Sequence, residues 1–142
     1  MRRRVLTAML LAMLLAGVSR ADDDTRIAVV VHPSRQTVLS SEILTQIYLR
    51  RRRFWDDGAP IVPLNLAAGT PLRRTFSRLV LGQGEDRLAE YWNREYFHGV
   101  LPPATLASTR AIVRYVASDP NAIGYVPIDE VDASVRVVLS LP

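Results

Sequence analysis

The sequence predicts an α/β protein, a single three-layer domain with a mostly parallel sheet of about four strands. Short apolar runs rich in β-branched residues, typical of buried strands, alternate with segments whose apolar residues recur three or four positions apart. This alternation of strands and amphipathic helices favours a parallel sheet covered by helices. The chain has no cysteine, so an apolar core rather than disulfides must hold the domain together.

Residues 1–21 are predicted to be a secretory signal peptide. A basic start, "MRRR", precedes the apolar run "VLTAMLLAMLLAGV", which is too short to span a bilayer comfortably as a helix. Ser19 and Ala21 then place small residues where a signal peptidase cleaves. We therefore expect a mature domain of residues 22–142 that is periplasmic and has no stable membrane insertion after cleavage.

The charge of the mature domain argues against one class of partner. The whole chain has a formal charge of +4, but four of its eighteen basic residues lie within residues 1–21, and all fourteen acidic residues lie after them. Residues 22–142 therefore carry fourteen arginines and fourteen acids, a formal net charge of zero. Without excess positive charge the domain lacks the electrostatic footprint of nucleic-acid binding, so no nucleic-acid partner is expected.

The first half of the domain is predicted to run strand, helix, strand. Residues 26–31, "RIAVVV", form an apolar run that suits a buried strand. Residues 39–49 show helical periodicity, and Ser40 can cap the first turn. Residues 61–66, "IVPLNL", form a second strand, in which Pro63 predicts an edge position or a bend because proline cannot donate to a sheet ladder.

The second half is predicted to add three helices and two strands. The helices are expected at 70–82, 84–99 and 109–120, and the strands at 121–127 and 134–141. Thr70 and Pro71 suit the N-cap and the first helical position. Gly124, inside a strand, predicts that a neighbouring backbone approaches closely.

The stretch "LAAGTPLRRTF", residues 66–76, contains the candidate binding site, an anion-binding turn at a helix N-terminus. The first N–H groups of a helix are free and its dipole is positive there, and a hydroxyl or an arginine fork adds charge-assisted hydrogen bonds. The residues assigned to this site are Gly69, Thr70, Arg73 and Arg74. Because Pro71 removes one N–H donor, three interpretations remain: a weak surface site, a helix cap that binds nothing, and a tight phosphate site.

Neither catalysis nor a metal is predicted. The sequence has no Gly-x-Ser-x-Gly elbow and no cysteine nucleophile. His32 and His98 are its only histidines, and no metal site is assigned to them. We therefore expect a non-enzymatic protein without a metal or another cofactor.

Two further stretches are interpreted as structural. The basic run Arg50–Arg53 could grip phosphates or anionic lipid, but it also suits a solvated turn whose side-chain stems pack on Phe54 and Trp55. Trp55 itself is expected to be buried and to cover the end of the first helix. The aromatic residues between positions 91 and 97 recur one helical turn apart and are interpreted as core rather than as a stacking platform.

Three stretches stand in a recognisable order: "LSSEILTQIYLRRRRFWDDGAPIVPLN", "GTPLRRTF" and "VRYVASDPNAIGYV". Together they resemble the periplasmic phosphate-binding proteins, the solute receptors of phosphate ABC transporters. In that family a helix ending in Ile-Tyr-Leu or Ile-Phe-Leu is followed by a basic run and Trp-Asp. A Gly-Ser-Gly-Thr-Arg turn then opens a helix, and a Pro-Gly-Ala-Ile-Gly-Tyr-Val strand comes later.

The resemblance implies one lobe of a type II periplasmic binding protein. The family receptor has two lobes that enclose phosphate, and its first-lobe turn of the Gly-Ala-Gly-Ala-Thr type is not found in this sequence. In the Gly-Ser-Gly-Thr-Arg turn, Gly69 and Arg73 match and Thr70 keeps a hydroxyl. Pro71 and Leu72 replace the second glycine and the threonine.

By this resemblance the chain is expected to be a solute-binding-like protein associated with phosphate transport or sensing. It would bind phosphate or another small oxyanion at most weakly, and a transporter or sensor protein would be its partner. The alternative is a non-catalytic protein-interaction module on the same fold, with ligand binding lost. Pro71 and Leu72, which weaken the turn, favour this alternative.

Overall fold

The computed structural model describes residues 26–142, so the predicted signal peptide lies outside the described residues. The elements are β1 (Ile27–Val31), α1 (Ser41–Tyr48), β2 (Val62–Leu66), α2 (Pro71–Phe76), α3 (Glu85–Tyr96), β3 (Ala104–Leu106), α4 (Thr109–Ser118), β4 (Ala122–Pro127) and β5 (Arg136–Leu141). A π-helical turn, Ser77–Leu81, continues α2, and a 3-10 turn, Ile128–Glu130, follows β4. Each predicted strand and helix is present.

The strands form one sheet in the order β3-β2-β4-β1-β5. β2 is parallel to β3 and β4, whereas β1 is antiparallel to β4 and β5. Four strands therefore run in one direction and β1 alone is reversed, which confirms an α/β domain with a mostly parallel sheet. The sheet has five strands rather than about four. The additional strand, β3, is three residues long, mostly exposed, and has no apolar run to mark it in the sequence.

Helices cover both faces of this sheet. Successive residues of a strand point to opposite faces, and Gly124 of β4 faces α4, where a Cβ would lie less than 3.0 Å from Ile112 Cγ2. Tyr125 points the other way and stacks on Phe76 at the end of α2, with ring centroids 3.8 Å apart. The three-layer prediction is confirmed. The sequence predicts that a neighbouring backbone approaches Gly124 closely. The structure shows instead that the close neighbour is the side chain of Ile112.

The core surrounds β1, all five residues of which are buried. The apolar run in the sequence thus marks the strand that lies between two neighbours and beneath helices. α1 adds Leu44, Ile47 and Tyr48 to this core. Its N-terminus is capped as predicted, because the Ser40 hydroxyl accepts a hydrogen bond from the Ile43 N–H at 3.2 Å.

The prediction of an edge position for the strand that contains Pro63 is wrong, because β2 lies between β3 and β4. Val62 N–H donates to the Asn121 carbonyl on the β4 side, and successive backbone nitrogens point to opposite sides of a strand. Pro63 therefore directs its nitrogen toward the β3 side, where pairing begins only at Leu64. An interior strand tolerates the proline because no ladder hydrogen bond is required at that nitrogen.

α3 packs on a small separate cluster formed by Leu49, Leu88 and Tyr91. The Tyr91 hydroxyl donates to the Leu49 carbonyl at 2.7 Å, which ties α3 to the end of α1. The core interpretation of the aromatic residues is correct for Tyr91 and wrong for Tyr96 and Phe97, which are 65% and 86% exposed. These two lie at the end of α3, beyond the apolar surface that the helix covers.

Candidate functional site

The candidate turn lies at the carboxyl end of β2, where the chain leaves the sheet for α2. Gly69 has a φ of +86°, in the left-handed region that glycine adopts without a steric penalty. Thr70 is the N-cap and Pro71 is the first helical residue, in the positions that the sequence predicts. The turn therefore has the backbone shape of a regular helix start, as the sequence predicts.

The Thr70 hydroxyl is engaged within the turn. It donates to the Ala67 carbonyl at 2.9 Å and makes no capping hydrogen bond to the N–H groups of α2. The N–H groups of Leu72 and Arg73 belong to the first turn of a helix, which has no intrahelical acceptor for them. They are the backbone donors at the start of α2 that remain for an outside acceptor.

Arg73 is held against the end of β2. Its Nη1 donates to the Leu66 carbonyl at 2.8 Å, and its side chain is partly buried. This bond fixes the guanidinium beside the turn and leaves other N–H groups of the same fork for an outside acceptor. Arg73 is also the positive charge closest in sequence to the backbone donors at the start of α2.

Glu85 supplies a carboxylate to the turn. Its Oε1 accepts a hydrogen bond from the Gly69 N–H at 2.9 Å, across sixteen positions of sequence. A negatively charged group of the chain itself therefore occupies one of the donors assigned to an anion. Sequence reasoning missed this residue because Glu85, as the first residue of α3, also suits the positive end of its own helix.

The Arg74 side chain has no hydrogen bond to the turn and lies on an adjacent surface. It lines a cleft of about 600 Å³ between the π-helical turn and the start of α3, together with Ser77 and Arg78. The structure thus brings Gly69, Thr70 and Arg73 together at the turn and assigns Arg74 to a neighbouring surface.

A buried polar network supports the turn from below. Asn65 Oδ1 accepts hydrogen bonds from the Tyr125 hydroxyl and, at 2.9 Å, from the Leu66 N–H. Tyr48 donates to the Leu64 carbonyl at 2.8 Å. Burial raises the pKa of Tyr125 to about 12 and holds the pKa of Tyr48 well above its usual range. Both hydroxyls therefore remain protonated at neutral pH and act as hydrogen-bond donors rather than bases.

The basic run after α1 forms a turn with partners of its own. The Arg51 guanidinium lies 5.8 Å from the centroid of the Tyr91 ring, and Arg52 pairs with Asp56 at 2.7 Å. Arg50 adopts a φ of +60° at the end of α1. These contacts favour the structural interpretation of Arg50–Arg53.

Trp55 is buried, as predicted, but it joins other parts of the chain. Its Nε1 donates to the Asn121 carbonyl at 3.0 Å, just before β4, and the Arg35 guanidinium lies 4.7 Å from its ring centroid. Trp55 thus links the turn after α1 to the start of β4.

Two absences can be stated for residues 26–142. No group of three or more His, Asp or Glu side chains in this range comes together in a way that could hold a metal ion. No helix in the same range combines the length and the apolar character needed to cross a bilayer.

In structure the chain is similar to receptors of phosphate transport. An ABC-type phosphate transport receptor from Vibrio cholerae matches with a TM-score of 0.64 at 21% identity, over 79% of this chain and 44% of that chain. A Clostridium perfringens protein assigned as a phosphate ABC transporter substrate-binding protein, solved with bound phosphate, matches with a TM-score of 0.67 at 24% identity. The match covers 82% of this chain and 46% of that chain. PstS from Borrelia burgdorferi matches with a TM-score of 0.55 at 14% identity, over 73% of this chain and 42% of that chain.

The chain spans less than half the length of these receptors, which fits a single lobe. The resemblance predicted from the sequence is confirmed at the level of the fold, and the neighbours are substrate-binding transport proteins rather than enzymes. No protein-family profile and no curated protein matches the sequence.

Proposed function

We propose that this chain is an exported, non-catalytic, solute-binding-like protein that binds phosphate or another small oxyanion weakly at the turn of Gly69, Thr70 and Arg73. The observation that carries the proposal is the position of Arg73, held by the Leu66 carbonyl beside the open first turn of α2. The similarity of the fold to half of a phosphate receptor supports the choice of ligand class.

The donors at the turn set the strength of this binding. An oxyanion has the N–H groups of Leu72 and Arg73 and the remaining N–H groups of the Arg73 guanidinium. Pro71 offers no N–H, the Thr70 hydroxyl hydrogen is directed to Ala67, and Glu85 holds the Gly69 N–H. A few exposed charge-assisted hydrogen bonds and one helix end support roughly 4 kcal/mol of binding, a Kd on the order of 1 mM.

The test is a titration of the mature chain with phosphate and with sulfate, followed by calorimetry and by amide NMR. We expect weak binding that moves the Leu72 and Arg73 amide resonances and weakens as salt is added, because an exposed site is screened. Arg73→Gln keeps a hydrogen-bond donor, removes the charge and should abolish measurable binding. Arg94→Ala, which removes an equal charge at the far end of α3, is the matched control.

Two results would contradict the weak turn site. Micromolar affinity in the unaltered chain would indicate a complete cage of donors that a single exposed turn does not provide. Unchanged affinity in Arg73→Gln would place the bound anion elsewhere.

A second candidate function is a protein-interaction module in which ligand binding is lost, with a transporter or sensor component as the partner. One observation favours it: the Gly69 N–H, the Thr70 hydroxyl and one Arg73 N–H each have a partner within the chain. The variant Pro71→Gly, Leu72→Thr restores one N–H and one hydroxyl. Absence of binding even in this variant would support the interaction module over the anion site.

A further inference from the structure

We propose that the cleft between the π-helical turn and the start of α3 is a separate oxyanion site, which takes the phosphate or sulfate group of a small organic ester. Three arginines, a buried serine hydroxyl and the N-terminus of a long helix converge there. The residues concerned are Arg74, Ser77, Arg78, Gly84, Asp86 and Arg87. This proposal does not depend on the turn of Gly69, Thr70 and Arg73.

The N-terminus of α3 provides backbone donors to the cleft. α3 has twelve residues, Gly84 is its N-cap, and no side chain caps its first turn. The first N–H groups of the helix therefore lack protein acceptors, and the positive end of the helix dipole adds to their attraction for an anion.

Ser77 is an independent sign that the cleft holds a polar ligand. The residue is 2% exposed, it lines the cleft, and within residues 26–142 its hydroxyl has no hydrogen-bond partner. Among residues 26–142 the only fully enclosed side-chain atom without a partner is Arg50 Nε, so the Ser77 oxygen opens on the cleft, where it can donate to a group that enters. Apolar packing alone does not explain a serine here, because the same volume suits alanine.

The guanidinium groups provide charge without internal compensation. In the part of the chain that the structure describes, Arg74, Arg78 and Arg87 form no ion pair. Arg74 and Arg78 lie four positions apart, a spacing at which like charges repel across a helix surface. A dianion between them would relieve this repulsion.

Two carboxylates also reach the cleft, and they affect its charge differently. Glu85 directs its carboxylate to the Gly69 N–H, so its charge is engaged at the turn. Asp86 also lines the cleft, and its charge opposes part of that of the three arginines. The net charge of the cleft, from three arginines and two carboxylates, remains positive. This favours a doubly charged anion over a singly charged one. The volume, about 600 Å³, exceeds that of a bare tetrahedral anion, so the cleft has room for the organic body of an ester.

The experiment is an amide NMR titration of the mature chain with glycerol 3-phosphate and, separately, with inorganic phosphate. We expect the Ser77, Asp86 and Arg87 resonances to shift, with tighter binding of the ester. Arg78→Ala and Ser77→Ala should each weaken this binding by about fivefold or more, as expected for loss of one hydrogen bond to a charged group. Arg94→Ala should leave it unchanged.

The same titration distinguishes anion binding in the cleft from anion binding at the turn of Gly69, Thr70 and Arg73. Arg73→Gln should leave the shifts at Asp86 and Arg87 intact. Shifts confined to residues 69–73, or equal affinity in wild type, Arg78→Ala and Ser77→Ala, would overturn the cleft site while leaving the turn proposal standing. Loss of all shifts in Ser77→Ala supports the cleft site only if that variant keeps the thermal midpoint of the wild type. Arg78→Ala is measured beside it because Arg78 is exposed, so its substitution should not disturb the core.

Discussion

Glu85 is expected to limit anion binding at the turn, and its removal should strengthen that binding. An anion that reaches the Gly69 N–H must displace the carboxylate, which costs about 1 kcal/mol for the lost hydrogen bond. The displaced carboxylate would then remain roughly 5 Å from the bound anion, where repulsion between two solvent-exposed charges, screened as in bulk water, is about 1 kcal/mol. The two terms together predict that Glu85→Ala tightens phosphate binding by about thirtyfold.

A pair of variants separates these two terms. Glu85→Gln keeps an acceptor for the Gly69 N–H but removes the charge, so it should tighten binding by only about fivefold. Glu90→Gln, which removes an equal charge five residues further along α3, is the control. Binding is followed at the Gly69 and Leu72 amide resonances, because these report the turn and not the cleft. Equal affinity in wild type and Glu85→Ala would refute the reasoning, since it would show that the anion neither gains the Gly69 N–H in the variant nor is repelled by Glu85 in the wild type.

The remaining predictions concern stability. Gly124→Ala should lower the free energy of unfolding by about 2 kcal/mol in urea denaturation, because the added methyl overlaps Ile112 in a filled core; an unchanged midpoint would show that α4 shifts freely. Trp55→Phe should cost about 1 kcal/mol through loss of the 3.0 Å hydrogen bond to Asn121, and a fully neutral effect would contradict that role. Burial raises the pKa of Tyr125 from 10.0 to about 12, so the unfolded chain loses this proton first and stability should fall as pH rises from about 10 to about 12. A flat urea midpoint across that range would argue against a protonated, buried Tyr125.

Local patterns in the sequence predicted most of the fold. The apolar run of β1, the periodicity of α1 and the Ser40 cap are each decided within a few residues, so they can be recognised without tertiary information. β3 could not be predicted, because three exposed residues become a strand only by pairing with β2. Pro63 likewise suggested an edge, since the staggered pairing that tolerates it is a property of the assembled sheet.

The sequence predicted the residues of the candidate turn but not their hydrogen-bond partners. Gly69, Thr70 and Pro71 form a turn whose shape follows from local backbone preferences, and their positions were predicted. The partners of those donors were not, because the Glu85 carboxylate arrives from a different helix. Periodicity and spacing carry no information on such a contact, although it decides which donors an anion can reach.

The reversed strand β1, which lies between β4 and the edge strand β5, also constrains the order in which the protein can fold. Ile27 pairs with Pro127 on one side and with Leu141 on the other, so both neighbours of β1 come from the last part of the described chain. Closing contacts between such distant positions is slow compared with local helix formation. During synthesis from the N-terminus, β1 would therefore remain an unpaired apolar segment until β4 emerges, and its second edge would be covered only after β5 follows.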